Sequence, residues 1–286
     1  MAGRPTRKGR AESVMTAGPD QVIDIEIGIL RSDVRLELPA SEDSLPVVRQ
    51  ALRSIGETVE ADREALEDAE LAVTEALANA VEHAYADGTG GAVHVTFLPR
   101  EEEILVSVRD FGCGMDASRH SGKEGPGYGL SMIEAIARRV DIRAQDGTEV
   151  EMALGLGVAD TATVDGAAPG IVPAERILRR VVAVVAAQVD MSVERVMEAL
   201  LVVELVARHG LRYLVGDHVE VRVTRGEGAF DLRIGPLEQG SARNVVQDTE
   251  IPVVGSVVER LADDVRIEKA RAGDTDREYL LLRLAT

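Results

Sequence analysis

Apolar and polar residues alternate along this chain in two periods, one typical of strands and one typical of helices. A period of two, as in Ile23, Ile25 and Ile27, predicts a half-buried strand, whereas apolar residues three and four apart predict an amphipathic helix. The elements predicted for the first half are strands at 23–29 and 34–38, helices at 45–59 and 61–85, a β-hairpin at 93–97 and 104–108, a helix at 128–139, and strands at 140–144 and 149–154. We therefore expect an α/β (α+β) two-layer sandwich, in which helices cover one face of a mixed or antiparallel sheet.

The second predicted helix carries polar residues opposite its apolar stripe. The apolar residues that share an arc of roughly 60° are Leu66, Val73, Leu77, Ala80 and Ala84. Glu75, Asn79 and Glu82 lie on the opposite side. A carboxylate and an amide one turn apart can act as a proton acceptor and a metal ligand. The alternative is a polar helix face that is only solvated, because it would have the same pattern of residues.

Glycine is concentrated between the strand that ends at Asp110 and the following helix. Six of the eighteen residues from 112 to 129 are glycine, which predicts a mobile lid at about 113–126. Asp110 can accept a hydrogen bond from an exocyclic amine, and the small residues after it let a planar ring approach the backbone, as adenine recognition requires. The helix that begins near Gly127 can offer backbone N–H groups to phosphates.

These segments resemble the N, G1 and G2 boxes of the GHKL ATP-binding (Bergerat-fold) superfamily. The N box is the segment around Glu75 and Asn79, and residues 45–49 with 70–85 resemble more narrowly the anti-sigma factor serine/threonine-protein kinases. The resemblance covers about residues 34–156. It implies that ATP and Mg²⁺ bind here.

The resemblance also implies a role for each matching residue. Asn79 is implied to be the Mg²⁺ ligand and Glu75 the general base. Asp110 is implied to bind the adenine amine, with Thr148 beside the adenine end and a G1 turn formed by Gly112 and Gly114. The phosphates are implied to be carried by Gly127 and Gly129, followed by Leu130. Lys123 in the lid is expected to reach the terminal phosphate, with a surface lysine as the alternative. The implied partners are a sigma factor and an anti-anti-sigma (STAS-type) protein that is phosphorylated on serine, and Arg49 would then lie on a partner-facing helix.

The order of helices, hairpin, helix and hairpin recurs in the second half, which predicts a tandem copy. Residues 197–200 match 74–77, and the hairpin at 219–223 and 230–234 matches the first one. At the positions of the predicted site, the second half has other residues. Val202 corresponds to Asn79, about Pro236 to Asp110, Pro252 to Gly127 and Val254 to Gly129. We expect a degenerate copy without a nucleotide site, and chance similarity of two short α/β units is the alternative.

Composition divides the chain and excludes several functions. We expect a disordered tail at 1–20, a kinase domain at 21–156, a linker at 157–172 and the degenerate copy at 173–286. The net charge of −18 repels the negatively charged phosphate backbone of nucleic acids, which argues against general electrostatic binding of DNA or RNA. The single cysteine excludes an intramolecular disulfide, and no apolar run approaches the roughly 18 residues of a membrane span. We therefore expect a cytoplasmic protein. The degenerate copy is expected either to replace a dimer partner, which gives an intramolecular pseudo-dimer, or to add a docking surface, and a homodimer is the other arrangement considered.

Other functions share part of this pattern. An ATP-gated module that binds partners without phosphotransfer would use the same residues. A histidine kinase would need a phosphoacceptor histidine on a dimerisation helix, and none of the five histidines lies upstream of the site. A P-loop is excluded because Gly122-Lys123-Glu124 lacks the hydroxyl residue, and no His-Glu-x-x-His or paired Cys-x-x-Cys supports zinc.

Overall fold

The structure is a computed structural model, and it describes residues 22–29, 33–84, 90–112, 128–157, 174–253, 255–270 and 277–286. The first half contains β1 (Val22–Gly28), β2 (Val34–Pro39), α1 (Ser44–Thr58), α2 (Arg63–His83), β3 (Ala92–Pro99), β4 (Glu103–Asp110), α3 (Tyr128–Ile136), β5 (Arg139–Arg143) and β6 (Glu149–Gly155). The second half contains α4 (Ala174–Gln188), α5 (Val193–Gly210), β7 (His218–Gly226), β8 (Ala229–Glu238), α6 (Ser241–Gln247), β9 (Glu250–Ile251), β10 (Gly255–Ser256), α7 (Val257–Leu261), β11 (Asp264–Lys269) and β12 (Arg277–Ala285). The predicted tail, the lid and the linker from residue 158 onward lie outside the described residues.

One antiparallel sheet runs through both halves. Its ten strands in the described part of the chain have the order β11-β12-β8-β7-β1-β2-β3-β4-β6-β5. The alternating strands have buried faces, as predicted, and the expected α/β fold with helices on a sheet is confirmed. β1 pairs with β2 on one side and with β7 along seven residues on the other. A strand that we assigned to the first half therefore completes the sheet of the second.

The face of the sheet away from the helices is polar, as a one-sided antiparallel sheet allows. Arg222 on β7 forms a bidentate pair with Asp24 on β1, with N–O distances of 2.6 and 2.8 Å. Hydrogen bonding to Asp24 raises the pKa of the Arg222 guanidinium above its usual value. Arg233 on β8 pairs with Glu268 on β11 at 2.9 Å. Charged pairs of this kind leave the open face solvated and add little stability individually.

The helical layer also joins the two halves. α1 packs against α4 above the central pair β1 and β2, and their buried residues belong to one continuous apolar core. Arg225 donates to Asp43 at 2.9 Å and Arg180 forms an ion pair with Glu57, so charged contacts cross between the halves. The halves thus share both a sheet and a helical interface.

The structure corrects the predicted register of the duplicated helices. The N-caps Asp62 and Ser192, and the left-handed residues Glu60 (φ 54°) and Asp190 (φ 55°), are each 130 residues apart. The earlier match of residues 74–77 with 197–200 was therefore wrong by seven residues. Seven residues are almost two helical turns, so the wrong register still aligned apolar with apolar positions.

In the corrected register, the counterpart of Asn79 is His209 rather than Val202, and the counterpart of Glu75 is Leu205. The hairpin register is confirmed, because Val95 and Val221 lie opposite Val108 and Ile234 respectively. The second half still lacks both the amide and the carboxylate of the first.

Two predicted helix starts also differ from the structure. α1 begins at Ser44 rather than at residue 45, and the hydroxyl of Ser44 donates to the carbonyl of Pro39 at 2.7 Å. α2 begins at Arg63 rather than about Ala61, and the carboxylate of Asp62 caps it by accepting hydrogen bonds from the first helical turn. α2 is therefore well anchored at the end opposite the candidate site.

Candidate functional site

The C-terminal half of α2 presents its two predicted polar residues to the start of α3. Val73 and Leu77 are buried against the sheet, which turns Glu75 and Asn79 toward the neighbouring helix. A Cβ atom at Gly129, in the first turn of α3, would lie 2.8 Å from Oε2 of Glu75 and 3.3 Å from Nδ2 of Asn79. The glycine therefore lets the helix N-terminus approach both side chains. A carboxylate and an amide thus meet the positive end of α3, where backbone N–H groups lack intrahelical partners.

Asp110 forms the second part of the site at the end of β4. Its side chain is buried, with the residue 4% exposed. Oδ1 accepts hydrogen bonds from the backbone N–H groups of Gly112 at 3.0 Å and Thr148 at 3.2 Å. Oδ2 accepts none from the residues that the structure describes. One oxygen is therefore fixed by two backbone donors, and among the described residues the other has the capacity to accept a hydrogen bond from an amine.

Two glycines allow the backbone around Asp110 to pack closely. A Cβ atom at Gly112 would lie 2.0 Å from the carbonyl oxygen of Ala84 at the end of α2. Gly147 has φ +111°, and a Cβ atom there would lie 2.1 Å from the carbonyl oxygen of Asp110. Both neighbours are backbone atoms, so neither position can accept a side chain without moving an element. The end of β4 is thereby held between α2 and the turn before β6.

The two parts of the site lie along the same helix. Asn79 and Ala84 are five residues apart on α2, which corresponds to about 7.5 Å along the helix axis. A ligand that has an amine-bearing ring beside Asp110 and phosphates at the start of α3 would therefore lie across the last turns of α2. The geometry brings together residues of all three predicted boxes: Glu75 with Asn79, Asp110 with Gly112, and Gly129.

The remaining predicted residues differ in what the structure says of them. Gly114, Lys123 and Gly127 lie outside the described residues. Leu130 is half-buried in the first turn of α3, and the backbone of Thr148 anchors Asp110 as described above. Arg49 on α1 donates from Nε to the hydroxyl of Thr74 on α2 at 2.9 Å. Its partner-facing role stays a prediction.

Sequence reasoning missed the aromatic residue beside Asp110. Phe111 is 45% exposed, and its ring meets that of His94 edge-on, with centroids 4.6 Å apart. The guanidinium of Arg109 lies 5.0 Å from the centroid of the same ring. The available signal was composition, because aromatic residues make up only 2% of the chain and one of them directly follows the site carboxylate.

The corresponding region of the second half is filled by protein. α6 buries Ala242 and Val245, and Gly210 of α5 lies against Val245. The buried carboxylate of Glu278, at the start of β12, accepts a hydrogen bond from the backbone N–H of Ala242 at 2.5 Å. Nδ1 of His209 lies 3.9 Å from Asp248 at the end of α6. The absence of a nucleotide site from the second half stays a prediction.

The ionisable side chains of the described residues bear on the kind of site. No cluster of three or more His, Cys, Asp or Glu side chains in this part of the chain is arranged to hold a metal ion. A site with one amide ligand is still suited to Mg²⁺, which commonly keeps several waters and is held jointly by the phosphates of its substrate. None of the helices described here has the length and apolar character of a bilayer-spanning segment.

Comparisons with known proteins found one matching family and several relatives. Residues 38–154 match the histidine kinase-like ATPase domain family. The chain is 30% identical over 132 residues to serine-protein kinase RsbW of Oceanobacillus iheyensis, which covers 42% of this chain and 84% of that protein. The RsbW proteins of Bacillus pumilus and Staphylococcus aureus are 29% and 28% identical over 134 and 133 residues, covering 42% of this chain and 83% and 84% of theirs. A solved histidine kinase domain from the Erythrobacter litoralis EL346 blue-light activated histidine kinase is 24% identical, with a TM-score of 0.29 and coverage of 32% of this chain and 45% of that chain.

Proposed function

Because the chain belongs to the family of histidine kinase-like (GHKL) ATPases, we propose that its first half is a serine/threonine-protein kinase that uses ATP. The observation that carries the proposal is the convergence of Glu75, Asn79 and the start of α3 on the C-terminal half of α2, with the carboxylate of Asp110 near the C-terminal end of the same helix. These are the groups that phosphoryl transfer needs. Asp110 would bind the adenine ring, Asn79 the metal ion and the N–H groups of α3 the phosphates, and Glu75 would accept the proton.

Each residue has a defined task in this proposal. Oδ2 of Asp110 accepts a hydrogen bond from the adenine amine, while Thr148 and Gly112 fix the other oxygen. The amide oxygen of Asn79 would hold Mg²⁺, which neutralises phosphate charge when bound. Glu75 lies one helical turn from Asn79 and takes the proton of the attacking serine hydroxyl. Gly129 keeps the N–H groups of α3 close to both side chains.

The partners we propose follow from the similarity to RsbW serine-protein kinases. The chain would bind a sigma factor and phosphorylate a serine of an anti-anti-sigma protein of the STAS type. Arg49 lies on α1 next to α2, and its hydrogen bond to Thr74 would hold it in position for a partner. The net charge of −18 favours partners with basic contact surfaces.

The second half serves in this proposal as an internal counterpart of the kinase half. The ten-stranded sheet joins the two halves through β1 and β2, as an isologous dimer interface would join two subunits. The filled region around α6 then leaves one catalytic site for each pair of halves. The protein would be an intramolecular pseudo-dimer.

A phosphotransfer assay tests the kinase proposal. The full chain is incubated with γ-labelled ATP, Mg²⁺ and a candidate anti-anti-sigma protein, in parallel with Glu75→Gln and with Glu67→Gln as an exposed control on the same helix. We expect Glu75→Gln to reduce transfer by about 10²–10⁴-fold, the usual contribution of a general base, with ATP affinity changed by less than about threefold. The control should transfer at the wild-type rate.

Two outcomes would contradict the catalytic assignment. Full transfer by Glu75→Gln would exclude this residue as the base. A wild-type chain that binds ATP and changes its affinity for the partner without any transfer would identify an ATP-gated binding module instead.

A further inference from the structure

The outer face of α5 carries an exposed apolar stripe. Val193 is 81% exposed, Met197 is 66% exposed and Leu201 is 42% exposed. The three residues are spaced at i, i+4 and i+8, so they lie on the same side of the helix over about 12 Å. Single exposed apolar residues are ordinary, but an aligned set forms a patch of the kind that binds other molecules.

The first half provides an internal reference for this face. In the corrected register, the three stripe positions correspond to Arg63, Glu67 and Leu71 of α2. Arg63 and Glu67 form an exposed ion pair with an N–O distance of 2.8 Å, and only Leu71 is apolar. The same surface of two similar helices is therefore solvated by charges in one half and apolar in the other.

The charges beside the stripe are negative. Asp190, in the left-handed turn just before α5, and Glu194, in the first turn of the helix, precede Val193 and Met197 by three residues each, and both are exposed. Neither forms an ion pair with any residue in the described ranges, whereas Glu198 pairs with Arg195. The N-terminal end of the stripe thus combines apolar surface with two exposed carboxylates that pair with no cation of the described ranges.

We propose that this stripe, formed by Val193, Met197 and Leu201, is a docking surface for a basic amphipathic helical segment of a protein partner. Apolar residues spaced three and four apart on such a segment would cover the stripe, while its lysines or arginines would face Asp190 and Glu194. A second copy of this chain fits less well. Three side chains cover much less than the roughly 1,200–2,000 Å² of a stable interface, and two chains of charge −18 repel each other. The proposal is independent of the kinase activity of the first half.

The experiment selects binders from a displayed library of random 14-residue peptides on the full chain. We expect the enriched peptides to have apolar residues three and four apart and a net charge of about +3 or more. Their affinities are then measured by fluorescence anisotropy for Met197→Glu, Met197→Lys and Glu194→Lys. Leu71→Glu on α2 is the matched control for a surface change on the equivalent helix.

The Met197 pair separates apolar docking from charge attraction. Both variants should weaken binding at least tenfold, because each removes the central apolar side chain; attraction by charge alone would strengthen binding to Met197→Glu. Glu194→Lys should weaken binding severalfold and reduce its salt dependence, and Leu71→Glu should bind as the wild type does. Thermal melting checks that the variants fold, as expected for substitutions at an exposed position.

Several results would overturn the proposal. These are enrichment of neutral or acidic peptides, equal binding to both Met197 variants and the wild type, and failure to enrich any peptide. A concentration-dependent dimer in sedimentation velocity that Met197→Glu abolishes would identify a second copy as the occupant instead.

Discussion

Substituting Asp110 by asparagine changes Oδ2, the oxygen that accepts no hydrogen bond from the described residues. Oδ1 would remain an acceptor for the N–H groups of Gly112 and Thr148, and an inverted amide is disfavoured because its NH₂ group would face these two donors. The NH₂ group must therefore replace Oδ2. The position that accepts a hydrogen bond from the adenine amine in our proposal would then present a donor.

The expected magnitudes separate folding from binding. The two retained hydrogen bonds lose their charge assistance, which should lower the free energy of unfolding by about 1 kcal/mol. In Asp110→Ala both buried N–H groups lose their acceptor, and the cost should be about 2–5 kcal/mol. For ATP binding, Asp110→Asn loses a hydrogen bond to a charged acceptor and opposes two donors. A loss of about 2–4 kcal/mol corresponds to roughly 30- to 1,000-fold in Kd.

Calorimetric titration with Mg-ATP measures the affinity, and urea denaturation of the same samples measures the free energy of unfolding. Asp68→Asn, an exposed residue near the other end of α2, is the control for a neutralised carboxylate. ATP affinity within threefold of the wild type in a folded Asp110→Asn variant would refute the assignment of Oδ2 to the adenine amine. Unfolding of this variant would show that the charge, rather than the two retained bonds, maintains the end of β4.

Three further predictions concern the fold around the site. Gly147→Ala should lower the free energy of unfolding by more than about 3 kcal/mol, because the new Cβ atom would meet the backbone of Asp110. The control is Gly216→Ala, at φ +98° with open space around it, which should lower the free energy of unfolding by about 1 kcal/mol. Equal urea midpoints for the two variants would contradict the clash. Both halves should unfold in one calorimetric transition, because they share a sheet and a core. ATP at 100 times its Kd should raise the free energy of unfolding by about 2.7 kcal/mol. Two transitions, one of them insensitive to ATP, would contradict a shared core. A fragment of residues 22–157 should self-associate through the exposed edge of β1, and a strictly monomeric fragment in sedimentation experiments would argue against this.

The elements of the sheet were predictable because each strand buries one face. Ile23, Ile25 and Ile27 are all buried, as the period of two requires, and Asp110 ends its strand as expected. The convergence of Glu75, Asn79 and Gly129 followed from the resemblance to known boxes. Nothing in local periodicity would have shown that α3 lies against that face of α2.

The pairing partner of β1 was not predictable from its own residues. An alternating strand specifies which face is buried, but not which neighbours supply hydrogen bonds on each edge. The register of the duplicated helices failed for a related reason, since a shift of seven residues preserves the apolar face. The register of the two helices is marked better by residues that break the periodicity, such as the left-handed Glu60 and Asp190.

The corrected register gives the differences between the halves a common cause. In the first half, Glu75 and Asn79 of α2 face the start of α3 at Gly129. In the second half the counterparts are Leu205 and His209, and α6 packs into the corresponding region. The outer face of α5 differs from that of α2 as well, because Val193 and Met197 stand where α2 has the ion pair of Arg63 and Glu67. The apolar stripe thus lies on the counterpart of the helix that carries the candidate site, in a half that the shared sheet joins to that site.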